Sequence, residues 1–415
     1  LFVRYGYVTA PFSIYKGVWT IPAGCRLTLS LDQLTGGGDL SAKMETYWSP
    51  RRALEESKQR GLHLSERDTI DAFETLLKSC IKDRMISDVP LGSFLSGGID
   101  SSAITALMQS QSTQPIKTFS IGFKESGYDE SVAAKAVAQH LGTEHRELIV
   151  TAQDALKIIP ELPTIYDEPF ADPSQIPTLI LSRFAREHVT VALSGDGGDE
   201  MLGGYLRHTA VPSLWNKIRR VPMPLHHLTA SGIHAVKSEL WDHLNPHHPQ
   251  FGERLYKVAE LLPLKTPEEW YRAMIGVWND PSGVVINGSE PPIPLTTPSL
   301  HPQGLSFAEK MMFGDTISYM PNDVLVKVDR ASMAASMEVR APLLDRRVFD
   351  FAWTLPHDMK VRDGKGKWLL RQVLARHVPP ALFDRPKQGF GVPVADWLRH
   401  DLRDWAGSLL DESRL

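Results

Sequence analysis

Two short stretches carry groups whose types and spacing suit phosphate chemistry. In "VPLGSFLSGGIDSS", residues 89–102, an apolar run stops at Ser96-Gly97-Gly98, and Asp100, Ser101 and Ser102 follow before a helix-like "AITALMQ". A helix start presents unpaired N–H groups and a positive dipole end. Adjacent glycines let an anion approach the backbone, and the hydroxyls of Ser96, Ser101 and Ser102 can donate to phosphate oxygens, so the package suits a pyrophosphate. No GxxxxGK[ST] and no GxGxxG occur in the chain. Without a loop lysine, Asp100 would meet phosphate through a bridging Mg²⁺. The second stretch, "VTVALSGDGGDEMLGGY" at 189–205, repeats the design, with Ser194 and Gly195 leading into Asp196, Asp199 and Glu200. Three acids among small residues need a cation, and oxygen-only donors select a hard one such as Mg²⁺.

Such loops need strands to end on and helices to begin. Ser65 and Asp68 read as a helix cap, with Ile70, Phe73, Leu76, Leu77 and Ile81 as a 3.6-residue stripe over 65–86. Then "VPLGSFL", "IKTFSIGF", "EHRELIV" and "VTVALSG" alternate with helical patterns, the last of these at 174–188. This order predicts an α/β fold, a parallel β-sheet flanked by helices. Residues 1–50 read as short extended pieces with a turn at "TGGGDL". Residues 205–300, rich in Pro and His, read as a variable helical insert, and 305–400 as a C-terminal helical region that includes "ASMAASMEV".

Composition excludes some classes. With 42% hydrophobic and 23% charged residues and a net charge of −4, the chain has the balance of a globular protein and no basic footprint for nucleic acid. No apolar stretch approaches a membrane span. Cys25 and Cys80 stand apart, with no CxxC pair, and read as thiols in a reducing cytosol.

Taken together, "SGGIDSS", "LSGDGGDE", "LVKVDRASMAASMEVRAPLLD" and "RPKQGFGVPVADWL" resemble the glutamine-hydrolysing (B-type) asparagine synthetases, within the PP-loop ATP pyrophosphatases. The resemblance runs over nearly the whole chain. It implies that Ser96, Gly97, Gly98, Asp100 and Ser101 hold the ATP phosphates, that Phe94 and Ile121 lie against the nucleotide, and that Ser194 and Gly195 complete the ATP site. It makes Asp100 and Asp199 the Mg²⁺ pair and gives Asp196, Glu338 and Lys387 catalytic roles, with Asp196 standing where many relatives carry Glu. Glu338 could instead pair with Arg340. Lys387 would supply the cation that the first loop lacks, and Asp323 in "NDVLVKVDR" would be a substrate contact.

The implied reaction adenylates the side-chain carboxylate of aspartate with ATP and Mg²⁺ and passes ammonia, normally from glutamine, to the activated carbonyl. The products are asparagine, AMP and pyrophosphate. Relatives acting on other carboxylates (β-lactam synthetases, lasso-peptide cyclases, polysaccharide-cluster amidotransferases) and a non-catalytic ATP-binding protein are the alternatives. The resemblance also divides the chain into residues 1–50, the end of a glutaminase domain, and 51–415, the synthetase domain. Neither cysteine matches a glutaminase nucleophile, which is expected upstream of Leu1. The expected partners are ATP, aspartate and ammonia or glutamine, with no nucleic acid and no membrane, in a cytoplasmic homodimer.

Overall fold

The computed structural model describes residues 1–35, 43–124, 129–244, 251–385 and 391–413. Two short strands, β1 (Cys25–Leu27) and β2 (Met44–Thr46), pair antiparallel near the start of the chain. The "TGGGDL" turn lies largely outside the described residues. The main sheet holds β3 (Leu91–Phe94), β4 (Lys117–Phe123), β5 (Glu144–Val150), β6 (Val191–Leu193) and β7 (Glu338–Arg340) in the order β5-β4-β3-β6-β7. Each neighbouring pair is parallel, as the strand–helix alternation predicts.

Chain order runs outward from β3 through β4 to β5, then returns to the other side of β3 for β6. The switch point therefore falls between β3 and β6, where open α/β sheets bind ligands beyond their carboxyl ends. Both glycine-acid loops leave from those two ends. The register pairs Ser93 with Leu193, so the two loops emerge side by side.

Packing fixes the sheet from both faces. The stripe at 65–86 forms a helix, Glu66–Met85, whose Ser65 side chain caps Asp68 N–H, and Phe73, Leu77 and Ile81 are fully buried. They join Ile104 and Leu107 of the helix Ile99–Gln109, and Leu369, Leu370 and Val373 of the helix Trp368–Ala375, in one apolar cluster. A second cluster gathers Phe119, Ile121, Phe123, Val150, Leu179 and Trp397. β4 is buried along nearly its whole length, although Phe119, Ile121 and Phe123 alternate with Thr118, Ser120 and Gly122, because both of its faces are covered.

One expectation needs correction. "ASMAASMEV" is not helical throughout: the helix Leu325–Ala334 ends at its fourth residue, Ser336 takes a φ of 56°, and Glu338–Arg340 becomes the fifth strand. A three-residue strand has no periodicity to read, and the open edge of β6 is what makes it a strand. Residues 205–300 are helical in the main, including Val211–Ile218, Met223–His234, Phe251–Leu261 and Pro267–Ile275. Tyr271, Ile293 and Leu295 of that region pack with Tyr5 and Tyr7 from the first residues of the chain.

Candidate active site

A cavity of about 600 Å³ opens over the carboxyl ends of β3 and β6. Its lining brings together Phe94, Ser96, Gly98, Asp100, Ser101, Ile121, Ser194, Gly195, Asp196 and Asp199. Gly97 does not line it. It takes a φ of 70° and turns the chain against the backbone of Ala133 and Ala134.

The first loop is tied by its own hydroxyls. Ser96 and Ser101 Oγ atoms lie 3.0 Å apart, and Gly98 N–H donates to Ser96 Oγ at 3.3 Å. Arg385 donates to Ser96 O at 3.1 Å and brings a guanidinium to the cavity wall. The second loop locks onto the first through close backbone approach. A Cβ at Gly195 would fall 2.7 Å from Asp100 Cβ, and one at Gly198 would fall 2.3 Å from Asp100 Oδ1. Only glycine lets the two loops sit this close.

Asp100 and Asp199 converge on a single cation, and it comes from a third segment. Lys367 Nζ pairs with Asp100 and, at 2.8 Å, with Asp199 Oδ1. Burial works to push the Lys367 ammonium down, but the two carboxylates outweigh it and hold it above its ordinary range. Gly204 makes this fit, since a Cβ there would lie 2.0 Å from Asp199 Oδ1 and 2.1 Å from Lys367 Cε. Sequence reasoning missed Lys367. A signal was present: "GKGKW" puts a lysine at the N-cap of Trp368–Ala375, with a left-handed φ of 60°. A cation there opposes the helix dipole, and local rules broken without an evident gain mark functional positions.

The two carboxylates share the Lys367 ammonium, and as neighbouring oxygen donors they are the residues that would hold a divalent ion such as Mg²⁺ on nucleotide phosphates. Lys387 lies outside the described residues.

Beyond the loops the wall turns polar again. Lys327, nearly enclosed, donates to Asp172 Oδ2 and to Ser174 Oγ, both at 2.8 Å. Asp323 is buried beside them and does not line the cavity itself; burial and the Asp172 charge push its carboxyl up to about 8. Asp196 is raised by burial, partly countered by a 2.7 Å hydrogen bond from Ser194 Oγ. Burial and Asp199 lift Glu200 to about 7.

Glu338 is not brought into the cavity. It opens β7 level with Val191, at the amino end of β6, while the cavity lies beyond the carboxyl end. Its carboxylate instead pairs with Arg340 at 2.7 Å, which holds it below its usual range. The ion pair with Arg340 is therefore the contact this geometry gives Glu338.

Residues 72–415 match the family model described as asparagine synthase. The chain belongs to the asparagine synthase family. Among curated proteins it is 30% identical to "Asparagine synthetase [glutamine-hydrolyzing] 1" of Bacillus subtilis (strain 168), over 100% of this chain and 61% of that protein. "Asparagine synthetase [glutamine-hydrolyzing] 3" of the same organism is 25% identical over 93% of this chain and 57% of that protein. The Bos taurus "Asparagine synthetase [glutamine-hydrolyzing]" is 23% identical over 88% of this chain and 51% of that protein. The chain thus spans about three fifths of the length of the first of these relatives. No helix among the described residues is long and apolar enough to cross a membrane.

Proposed function

We propose that this member of the asparagine synthase family is an ATP-dependent amide ligase that adenylates the side-chain carboxylate of aspartate and gives asparagine. The observation that carries the reading is the convergence of Asp100, Asp199 and Lys367 at interlocked glycine loops, with Lys327 and Asp196 further along the same cavity.

In this reading the adenine lies against Phe94 and Ile121, and the phosphates sit on the N–H groups and hydroxyls of residues 96–101. Ser194 and Gly195 close the nucleotide site. A carboxylate oxygen of the substrate attacks the α-phosphorus, and the bond to the β-phosphate oxygen breaks to release pyrophosphate. Ammonia then attacks the acyl carbon, AMP leaves with the bonding pair, and one proton is released. Asp100 and Asp199 are the residues that would hold Mg²⁺, which would neutralise phosphate charge. Lys367 adds a fixed positive charge at the same place, and we assign Lys387 the same task on the leaving pyrophosphate. Asp196 binds a proton more firmly than an ordinary carboxylate, which suits it to receive the proton from the attacking ammonia. Asp172 and Lys327 form the end that meets the amino-acid substrate, with Asp323 buried beside them. We give Glu338 no place in these steps, because its carboxylate lies at the other end of the sheet.

The names of the relatives support ammonia from glutamine. On that basis residues 1–50 are read as the end of a glutaminase domain and 51–415 as the synthetase domain, with 205–300 as an insert; a cytoplasmic homodimer is a separate proposal. The test supplies purified protein with ATP, Mg²⁺, ammonium and a panel of carboxylates. Pyrophosphate release and product mass are followed. Asparagine from aspartate is the expected product. Turnover with another carboxylate but not aspartate refutes the aspartate assignment, and no AMP with any carboxylate refutes the ligase.

A further inference from the structure

The substrate end of the cavity is walled by two rings, Tyr205 and Tyr319, whose centroids lie 6.0 Å apart at 72°. Both belong to a buried polar network that the reaction steps above leave unused. Its centre is Asp315, fully buried. It accepts hydrogen bonds from Arg207 Nε at 2.9 Å, His208 Nε2 at 2.6 Å and Tyr271 OH at 2.7 Å. Arg207 Nη2 lies 2.9 Å from the second oxygen, an ion-pair distance without hydrogen-bond geometry. Burial tends to raise the Asp315 carboxyl, yet Arg207 and His208 keep it below its ordinary range and ionised. Burial lowers His208, so its imidazole is neutral and gives its Nε2 proton to Asp315.

The same guanidinium lies over the cavity rings. Arg207 Cζ stands 4.0 Å from the Tyr205 centroid and 5.3 Å from that of Tyr319. Tyr205 is held at its far end by a 2.6 Å hydrogen bond from its hydroxyl to Glu200. Asp315 and Tyr319 share a π-helix, Asp315–Val324, which contains Pro321. With i→i+5 bonding, residues about four to five apart share a face, and such segments concentrate at functional sites. Asp315, Tyr319 and Val324 recur at that spacing, and the last two line the cavity.

We infer that Arg207 is a positioning residue for the carboxylate substrate: anchored on Asp315, its flat cation sets the angle of Tyr205 and Tyr319 at the substrate end. This rests on the ligase reading given above. The nucleotide end is built from β3, β4 and the two glycine loops after β3 and β6, and among the described residues none of these supplies a hydrogen-bond partner to the Asp315 carboxylate. Tyr271 ties the 205–300 region into the same network, which gives that region a role in shaping the wall.

Arg207→Lys separates the two functions of the side chain. Lysine keeps a charge for Asp315 but loses the fixed Nε hydrogen bond and the planar face over Tyr205 and Tyr319. The expected result is a carboxylate KM raised roughly tenfold, since small misplacements of positioning groups are costly. The KM for ATP should stay within about twofold, with the fold retained by circular dichroism. An unchanged carboxylate KM, or two KM values rising together, overturns the inference. If the wild-type protein makes no AMP from any carboxylate, the ligase reading has failed, and amide hydrogen exchange decides the positioning role. Arg207→Lys should then speed exchange over residues 315–324 and leave 96–101 unchanged. Equal exchange at 315–324 in the two proteins overturns it.

Discussion

Replacing Lys360 with methionine should stabilise the protein near neutral pH. Lys360 is 1% exposed, and its Nζ has no hydrogen-bond partner among the described residues. The ammonium lies 4.1 Å from the ring centroid of Trp353, itself buried. Burial pulls its pKa from 10.5 down to about 7, against a partial pull upward from Glu309, which is already paired with Lys58 at 2.6 Å. Each tenfold change in proton affinity is worth about 1.4 kcal/mol, so the charged form costs roughly 4–5 kcal/mol below pH 7. A desolvated cation–π contact offsets about 2 kcal/mol of that. The balance predicts a gain of roughly 2–3 kcal/mol for Lys360→Met at pH 7. The pH dependence has a definite sign. The folded pKa lies below the unfolded value, so the unfolded chain binds more protons between about 7 and 10.5 and wild-type stability rises with pH there. The advantage of the variant should therefore shrink by roughly 2–3 kcal/mol between pH 7 and pH 9. Urea unfolding of both proteins at pH 6, 7 and 9 measures this. A variant less stable than wild type at pH 7, or two stability curves that stay parallel to pH 9, refutes the reasoning.

Three further outcomes are expected. Lys367→Met takes the shared cation from Asp100 and Asp199, which should cost about 3–5 kcal/mol in unfolding experiments. Added Mg²⁺ should raise the Tm of that variant more than that of the wild type. Gly204→Ala drives a methyl into Asp199 and Lys367, so AMP formation should fall by about 100-fold or more while far-UV circular dichroism is unchanged. Asp323, raised to about 8, holds its proton at neutral pH, and the folded chain binds more protons than the unfolded one from its ordinary pKa of 3.8 up to about 8. Its contribution is present at low pH and lost as pH rises through that window. Asp323→Asn should approach the wild type in Tm near pH 4 and exceed it by a growing margin up to about pH 8, and a variant that loses its advantage toward alkaline pH would contradict the assignment.

The parts of this protein legible from sequence were those with a local signature. The parallel sheet follows from strand–helix alternation, and the two loops announce themselves by glycines and acids at strand ends. Eight of the ten residues named for the ATP site and its metal pair lie on those loops or on the first turns of the helices that follow, and Phe94 and Ile121 lie on β3 and β4. What escaped depends on distance. Lys367 lies 267 residues after Asp100, and nothing local says where its ammonium ends. Its unusual helix-cap position was the one trace. The strand β7 was hidden because three residues carry no period and only β6 gives them partners. Glu338 was placed by motif, but its end of the strand is set by register, which the motif does not encode.

The interlocked loops also tie ligand binding to the completion of folding. One loop follows β3, the other follows β6, and the lysine between them follows β7, so the nucleotide site exists only after contacts spanning most of the chain have formed. Pairings of that range close late, because loop entropy must be overcome before they contribute. A half-folded chain would hold each glycine turn separately and offer no place for a triphosphate. ATP would then act as a sensor of the finished protein, and the free energy of its binding would be added to global stability, not to one local segment. Protease resistance gained on adding ATP would count the molecules in which all three segments have met.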